Sequence, residues 1–193
     1  MTADDLAGAV PGPFEQGQQQ RPLIVLVGPM GAGKSAIGRK SAKALGVPFR
    51  DTDSIVVQQH GAIADIFLEQ GEAVFRGYEH EAVLASLAQD GVVALGGGSL
   101  THEGTREALA GHRVVLLTVT DEAVPARLQG RKRPLLNQAD ADPIAEWVRI
   151  KNERMPVFRS VATIEVDTSS GPIQNVVDRI VEWAQAQEHE ETA

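Results

Sequence analysis

Gly28-Pro29-Met30-Gly31-Ala32-Gly33-Lys34-Ser35 is the stretch on which the fold turns. It fits in full the pattern of a glycine, four residues, then Gly-Lys-Ser, and it lies between an apolar run at 23–27 and an amphipathic pattern at 34–45. That context reads as strand, loop and helix, the setting in which the spacing has a physical meaning. Glycines let the backbone curl so that successive amides and a helix N-terminus point at one anion, a cradle for a β-phosphate. Lys34 adds a mobile positive charge toward a γ-phosphate, and the Ser35 hydroxyl suits magnesium, a hard cation that prefers oxygen ligands. The ligand implied is Mg-ATP. The alternative is a glycine-rich strand-to-helix turn with an incidental Lys-Ser, which the matching flanks disfavour. Such a loop also serves switches, motors and transporters, so it identifies phosphates and leaves the reaction open.

Working outward, further apolar runs at 92–95, 114–119 and 163–166 read as buried strands, with a weaker fifth candidate at 47–51. Helical patterns fall at 34–45, 63–87 with a break at Gly71, 121–128, 143–154 and 173–186. Asp142-Pro143 is a helix start, because a carboxylate caps free amides and proline fits the first helical position. Strands alternating with helices predict an α/β fold, a three-layer α/β/α arrangement around a five-stranded parallel sheet.

With 193 residues the chain suits one compact domain. Residues 1–21, rich in Gln, Gly and Pro without an apolar period, read as a mobile tail. Residues 22–187 read as a single working domain, 129–141 as an exposed loop within it, and 188–193 as a frayed acidic end. The formal charge of -8 argues against a nucleic-acid or membrane-surface binder, so an anionic ligand must meet a local cluster of positive charge. The absence of cysteine excludes disulfides, thiolate metal sites and cysteine nucleophiles. No apolar run is long enough to span a bilayer, and Asp4 and Asp5 stand where a secretory signal is basic. The expectation is a cytoplasmic protein acting as a monomer on small molecules. The five histidines lack metal-ligand spacing and read as solvated, while Met30, Met155, Trp147 and Trp183 read as packing residues.

Asp51-Thr52-Asp53 closes the second strand candidate. Residues two apart on a strand share a face, so both carboxylates can project at the sheet's carboxyl edge, beside the phosphates. One can support magnesium and the other can accept a hydrogen bond from an attacking hydroxyl and take its proton. The alternative is a pair of loop-capping aspartates.

With Gly31-Ala32-Gly33-Lys34-Ser35 and Asp51-Thr52-Asp53 stand Phe75-Arg76 with Glu79, Gly96-Gly97-Gly98, Arg133-Pro134-Leu135-Leu136, and Arg154. In order and approximate spacing, over about 23–166, this set resembles the shikimate kinase family. The resemblance implies ATP-dependent phosphorylation of shikimate at its 3-hydroxyl, in aromatic amino-acid biosynthesis. It implies Asp53 as the base that holds the reacting hydroxyl, Asp51 with Ser35 as magnesium ligands, and Lys34 and Arg133 as catalytic cations. Gly31, Ala32, Gly33, Lys34, Ser35 and Ala36, with Arg133, would hold ATP.

Arg76 and Arg154 match the family's substrate arginines, whose guanidinium forks make two parallel charge-assisted bonds to a carboxylate. Glu79, three residues after Arg76 on one helical face, could orient that fork or form an exposed pair. The triplet Gly96, Gly97 and Gly98 is implied to lie against substrate; read alone, it could equally be a flexible strand exit. Arg133, with Arg127, Arg131 and Lys132, resembles the lid that closes over both substrates, although Arg127 and Lys132 could equally be solvated. The chain departs from relatives that carry an arginine after the last strand: Asp167 is followed by Thr168, Ser169, Ser170 and Gly171, so no adenine-contacting side chain is assigned there. Rival readings are a gluconate or nucleoside monophosphate kinase, and a non-catalytic nucleotide-binding module.

Overall fold

The structure, a computed structural model, describes residues 24–128 and 142–191. The expected tail at 1–21 and the lid segment 129–141, with Arg131, Lys132 and Arg133, lie outside the described residues.

Five strands, β1 (Ile24–Val27), β2 (Phe49–Asp51), β3 (Val92–Ala94), β4 (Arg113–Thr118) and β5 (Ile164–Asp167), form one sheet. Their order is β2-β3-β1-β4-β5 and every pairing is parallel. The eight helices of the described residues are α1 (Lys34–Leu45), α2 (Thr52–His60), α3 (Ile63–Glu69), α4 (Glu72–Leu87), α5 (Glu103–Ala108), α6 (Val124–Leu128), α7 (Pro143–Val161) and α8 (Ile173–Glu191). A single 3₁₀ turn, Ser99–Thr101, precedes α5. The five-stranded parallel sheet expected from the alternating pattern is present.

Parallel strands covered on both faces read as continuous apolar runs because both sides of the pleat are buried. Ile24 and Leu26 pack into one core with Ile37, Leu117, Trp147 and Ile180, while Val25 and Val27 pack into the other with Val83, Leu116 and Phe158. A smaller third core, Val56, Ile66, Phe75 and Ala82, ties α2, α3 and α4 together beside the sheet. That satellite carries one wall of the site described below.

Several local expectations are corrected. Residues 51–53 do not continue a strand: Asp51 ends β2 and caps α2, its Oδ1 accepting the Ser54 amide at 3.1 Å, and Asp53 lies in the helix's first turn. Asp51 thus caps a helix and also lines the first chamber described below. Helix α7 does not stop at Arg154 but runs through Pro156 to Val161, seating Phe158 in the second core. His80 and His102 are not separate solvated side chains; their rings stack with centroids 4.0 Å apart, and His80 Nδ1 lies 2.9 Å from Thr105 Oγ1.

Candidate active site

At the carboxyl edge of the sheet, Val27 of β1 leads into the glycine-rich loop, and Asp51 of β2 lies in register with Ala94 of β3, just before Gly96–Gly98. In open α/β sheets this edge, where neighbouring connections diverge, is where ligands bind. Gly33 has φ 87, a left-handed conformation that costs a side-chain-bearing residue energy, and it starts α1 with no side chain capping the helix. The first amides of α1 thus remain available to an anion. Lys34 Nζ donates to the loop's own carbonyls, Gly28 at 2.7 Å and Pro29 at 3.1 Å. Trp147 of α7 fastens the other limb of the loop, its indole N–H donating to the Met30 carbonyl at 2.9 Å.

Two chambers meet here. The first, about 610 Å³, is walled by the loop from Met30 to Ala36, by Asp51 and Asp53, and by Arg127, Thr168 and Ile173. The second, about 400 Å³, is walled by Arg76, Glu79 and Arg154 on its polar side and by Val57, Phe67 and Phe75 on its apolar side. Met30, Asp53 and Gly97 line both. Asp53 therefore stands at the doorway between a phosphate cradle and an arginine-walled pocket.

Thr52 sets that position. It is fully buried, its hydroxyl donates toward the Ala94 carbonyl at 3.4 Å, and it accepts the Gly96 amide at 3.1 Å. The start of α2 is thereby fastened to the exit of β3, and Asp53 follows directly. A Cβ on Gly96 would come within 3.0 Å of both the Asp53 and Glu79 carboxylates, so only glycine lets the backbone pass between them. Burial first, then the charges of Glu79 and Asp51, push the Asp53 carboxyl up to about 6, while Lys34 and Arg76 pull the other way. A carboxylate so desolvated is a stronger hydrogen-bond acceptor for an approaching hydroxyl than one in water.

Glu79 is only 2% exposed, which decides between the two readings of its pairing. It accepts from Arg76 Nη1 at 2.6 Å and from Ser99 Oγ at 2.8 Å, so it orients the guanidinium from inside the protein. A Cβ on Gly98 would strike that guanidinium, while Phe75 lies 5.1 Å from it by ring centroid. Burial alone would lower the Arg76 pKa, but Glu79 and Glu72 hold it above its ordinary value. Arg154 differs. It donates to the Gly97 carbonyl at 3.0 Å and has no bonded carboxylate among the described residues. Burial, and then the neighbouring charge of Arg76, lower its pKa. Arg76, fixed by its carboxylates, and Arg154, which lacks one, together make a receptor for a carboxylate.

The structure thus brings together Lys34, Ser35, Asp51, Asp53, Arg76, Glu79, Gly97, Gly98 and Arg154 around the two chambers, while Gly96 lines neither and packs against the Asp53 and Glu79 carboxylates. Sequence reasoning passed over Thr52 and Ser99, whose roles depend on partners more than 15 residues away, and it left Arg127 open. Arg127 is not solvated: Nη1 donates to the Gly31 carbonyl at 3.3 Å and to Thr168 Oγ1 at 3.1 Å, and Nη2 to the Thr168 carbonyl at 2.5 Å. Its hydrogen bonds to residues after β5 gave no local signal.

Magnesium fits the residues present. Ser35 and Asp51 offer oxygen to the first chamber, and among the described residues no group of three or more His, Cys, Asp or Glu forms a metal cage. That sparse set suits an ion held largely by phosphate and water rather than by protein alone. No helix of the described residues is long and apolar enough to cross a membrane.

Taken together, the parallel sheet in this order, the phosphate loop and the adjoining acceptor chamber define a phosphate-loop small-molecule kinase. Comparison with known proteins narrows the class. The family model for shikimate kinase matches residues 30–185. A shikimate kinase of Mycobacterium avium is 48% identical over 151 residues, spanning 77% of this chain and 85% of the relative. One from Saccharopolyspora erythraea is 48% identical over 165 residues, spanning 83% and 93%. The solved structure of shikimate kinase from Acinetobacter baumannii in complex with shikimate superposes with a TM-score of 0.80 at 33% identity, covering 86% of this chain and 94% of that one. The chain belongs to the shikimate kinase family, whose members use ATP and Mg²⁺, and it is an ATP-dependent phosphotransferase.

Proposed function

We propose that this chain transfers the γ-phosphoryl group of ATP to the 3-hydroxyl of shikimate, giving shikimate 3-phosphate and ADP in aromatic amino-acid biosynthesis. The observation that carries the residue assignment is the sharing of Asp53 between the two chambers. A group at the doorway touches both the donor's terminal phosphate and the acceptor's hydroxyl, so it can align the attack and receive the proton.

The amides of Gly31, Ala32, Gly33, Lys34, Ser35 and Ala36 would hold the phosphates, with Lys34 supplying charge to the group in transfer. Arg127, Thr168 and Ile173 also line the first chamber and would flank the base. Ser35 and Asp51 would hold magnesium, which would supply positive charge against that developing on the phosphates. Arg76 and Arg154 would grip the shikimate carboxylate, and Gly96, Gly97 and Gly98 would allow its ring to lie against backbone. Arg133 is assigned to the lid and to charge stabilisation on its sequence position alone. The relative from A. baumannii was solved with shikimate bound, which supports the acceptor. We further assign a single domain over 22–187 that works as a cytoplasmic monomer.

The roles are tested by Asp53→Asn. Loss of the proton acceptor should lower kcat by about 10²- to 10⁴-fold while ATP binding, measured by calorimetry, changes little. Turnover equal to the unsubstituted protein would remove Asp53 from the base role.

A further inference from the structure

Glu72 opens α4, four residues before Arg76, and its side chain is half exposed beside Arg76, which lines the acceptor chamber. Its Oε1 accepts from both Arg76 Nη2, at 2.9 Å, and Arg76 Nε, at 3.2 Å. Glu79 already takes Nη1 from the buried side. The Nε/Nη2 edge, which presents two parallel N–H groups to a planar carboxylate, is therefore covered by a carboxylate of the protein itself. Glu72 also acts electrostatically on Arg154, so its negative charge is shared by the same two arginines that await the acceptor.

We propose that Glu72 is a stand-in for the acceptor's carboxylate: it occupies the Arg76 fork in the empty site and is displaced when a carboxylated substrate binds. The inference rests on the assignment of Arg76 as a carboxylate-binding residue.

The physical case lies in the quality of the two contacts. Glu72 spends one oxygen on two nitrogens, whereas a bound carboxylate can give each N–H its own oxygen, a stronger and more directional arrangement. Glu72 is also half exposed, so its ion pair is screened and its side chain regains rotamer freedom on release. Glu79 has neither property: it is buried, tied to Ser99, and stays in place as the fixed support. Before the acceptor arrives, Glu72 adds negative charge near Arg154, which has no bonded carboxylate among the described residues and is repelled by Arg76. The consequence is selectivity. An acceptor without a carboxylate cannot replace what Glu72 provides, so its entry carries a penalty that shikimate does not meet.

The test is Glu72→Gln, with Glu72→Ala as a second variant and Arg76→Lys as the control on the underlying assignment. Because a ligand's apparent affinity is reduced by the fraction of sites in the competent state, freeing the fork should lower the KM for shikimate about two- to five-fold, with the KM for ATP unmoved. The carboxamide of shikimate, which cannot use the fork, should not share that gain. An unchanged or raised KM for shikimate in both Glu72 variants, with Arg76→Lys raising it at least ten-fold, would overturn the stand-in role and leave the acceptor assignment intact. If Arg76→Lys left the KM for shikimate where it was, the assignment of the fork would fail and this inference with it.

Discussion

The amide of Gly96 donates to the hydroxyl of Thr52 across 44 residues of chain, at 3.1 Å, and this bond fastens the helix that carries Asp53 to the glycine turn that borders the acceptor. Thr52 Oγ1 also faces the Ala94 carbonyl at 3.4 Å. One buried hydroxyl thus serves a donor and an acceptor at the end of β3, and its removal takes away the Gly96 amide's partner.

Thr52→Val keeps the shape and removes the hydroxyl. Leaving buried backbone groups unpaired costs about 1–3 kcal/mol, which for a chain of this size lowers Tm by about 3–10 °C. Turnover should fall as well, because the first turn of α2 loses its tether. Thermal unfolding followed with and without ATP checks both; a valine variant as stable as the parent would show that the bond is dispensable.

Asp53 links function to stability. Its carboxyl is pushed up to about 6 from an ordinary 3.8, by burial first and then by Glu79 and Asp51. The folded state therefore holds this proton more tightly than the unfolded chain does. Stability falls as pH rises from 3.8 toward 6, and above that window the ionised group is a constant liability. Allowing for screening in an open cleft, Asp53→Asn should stabilise the ligand-free protein by about 1–2 kcal/mol at pH 7.5. The gain should vanish near pH 3, below the unfolded value of 3.8, where Asp53 is protonated in both states. Urea unfolding at the two pH values measures it, and an equal difference at both would contradict the electrostatic origin.

Gly98→Ala places a methyl group against the Arg76 guanidinium. Losing one charge-assisted bond to the acceptor carboxylate costs about 1.5–3 kcal/mol, so the KM for shikimate should rise about 10- to 100-fold. The KM for ATP should stay close to its original value, because Gly98 does not line the phosphate chamber. Equal rises in both would point to general distortion of the turn.

How much of this was legible depended on range. The strands were readable because residues buried on both faces leave unbroken runs, as in the fully buried Ile24, Val25, Leu26 and Val27. Helix α2 was not: Ile55, Val56 and Val57 are three adjacent β-branched residues with no 3.6-residue period, and what makes them helical is the Asp51 cap together with burial of Val56 in the third core. Asp53 was placed correctly for a reason that fails, since it faces the site from a helix rather than a strand. The end of α7 was missed because Pro156 looks like a stop. It removes one donor, and packing of the 1%-exposed Phe158 outweighs that loss. Whether Glu79 was an exposed pair or a buried support could not be read from its spacing, because Ser99 and Gly96 close over it from another part of the chain. The acceptor-side list came from the family's motifs, and the contacts now give each member a physical reason.

The most direct measurement is ADP release from Mg-ATP by the purified protein, with shikimate, gluconate and a nucleoside monophosphate supplied in turn and Lys34→Ala as the control for contaminating activity. The account predicts stimulated release with shikimate alone, abolished in the Lys34 variant. Release driven by gluconate or the nucleotide and not by shikimate, or no stimulation by any of the three, would contradict it.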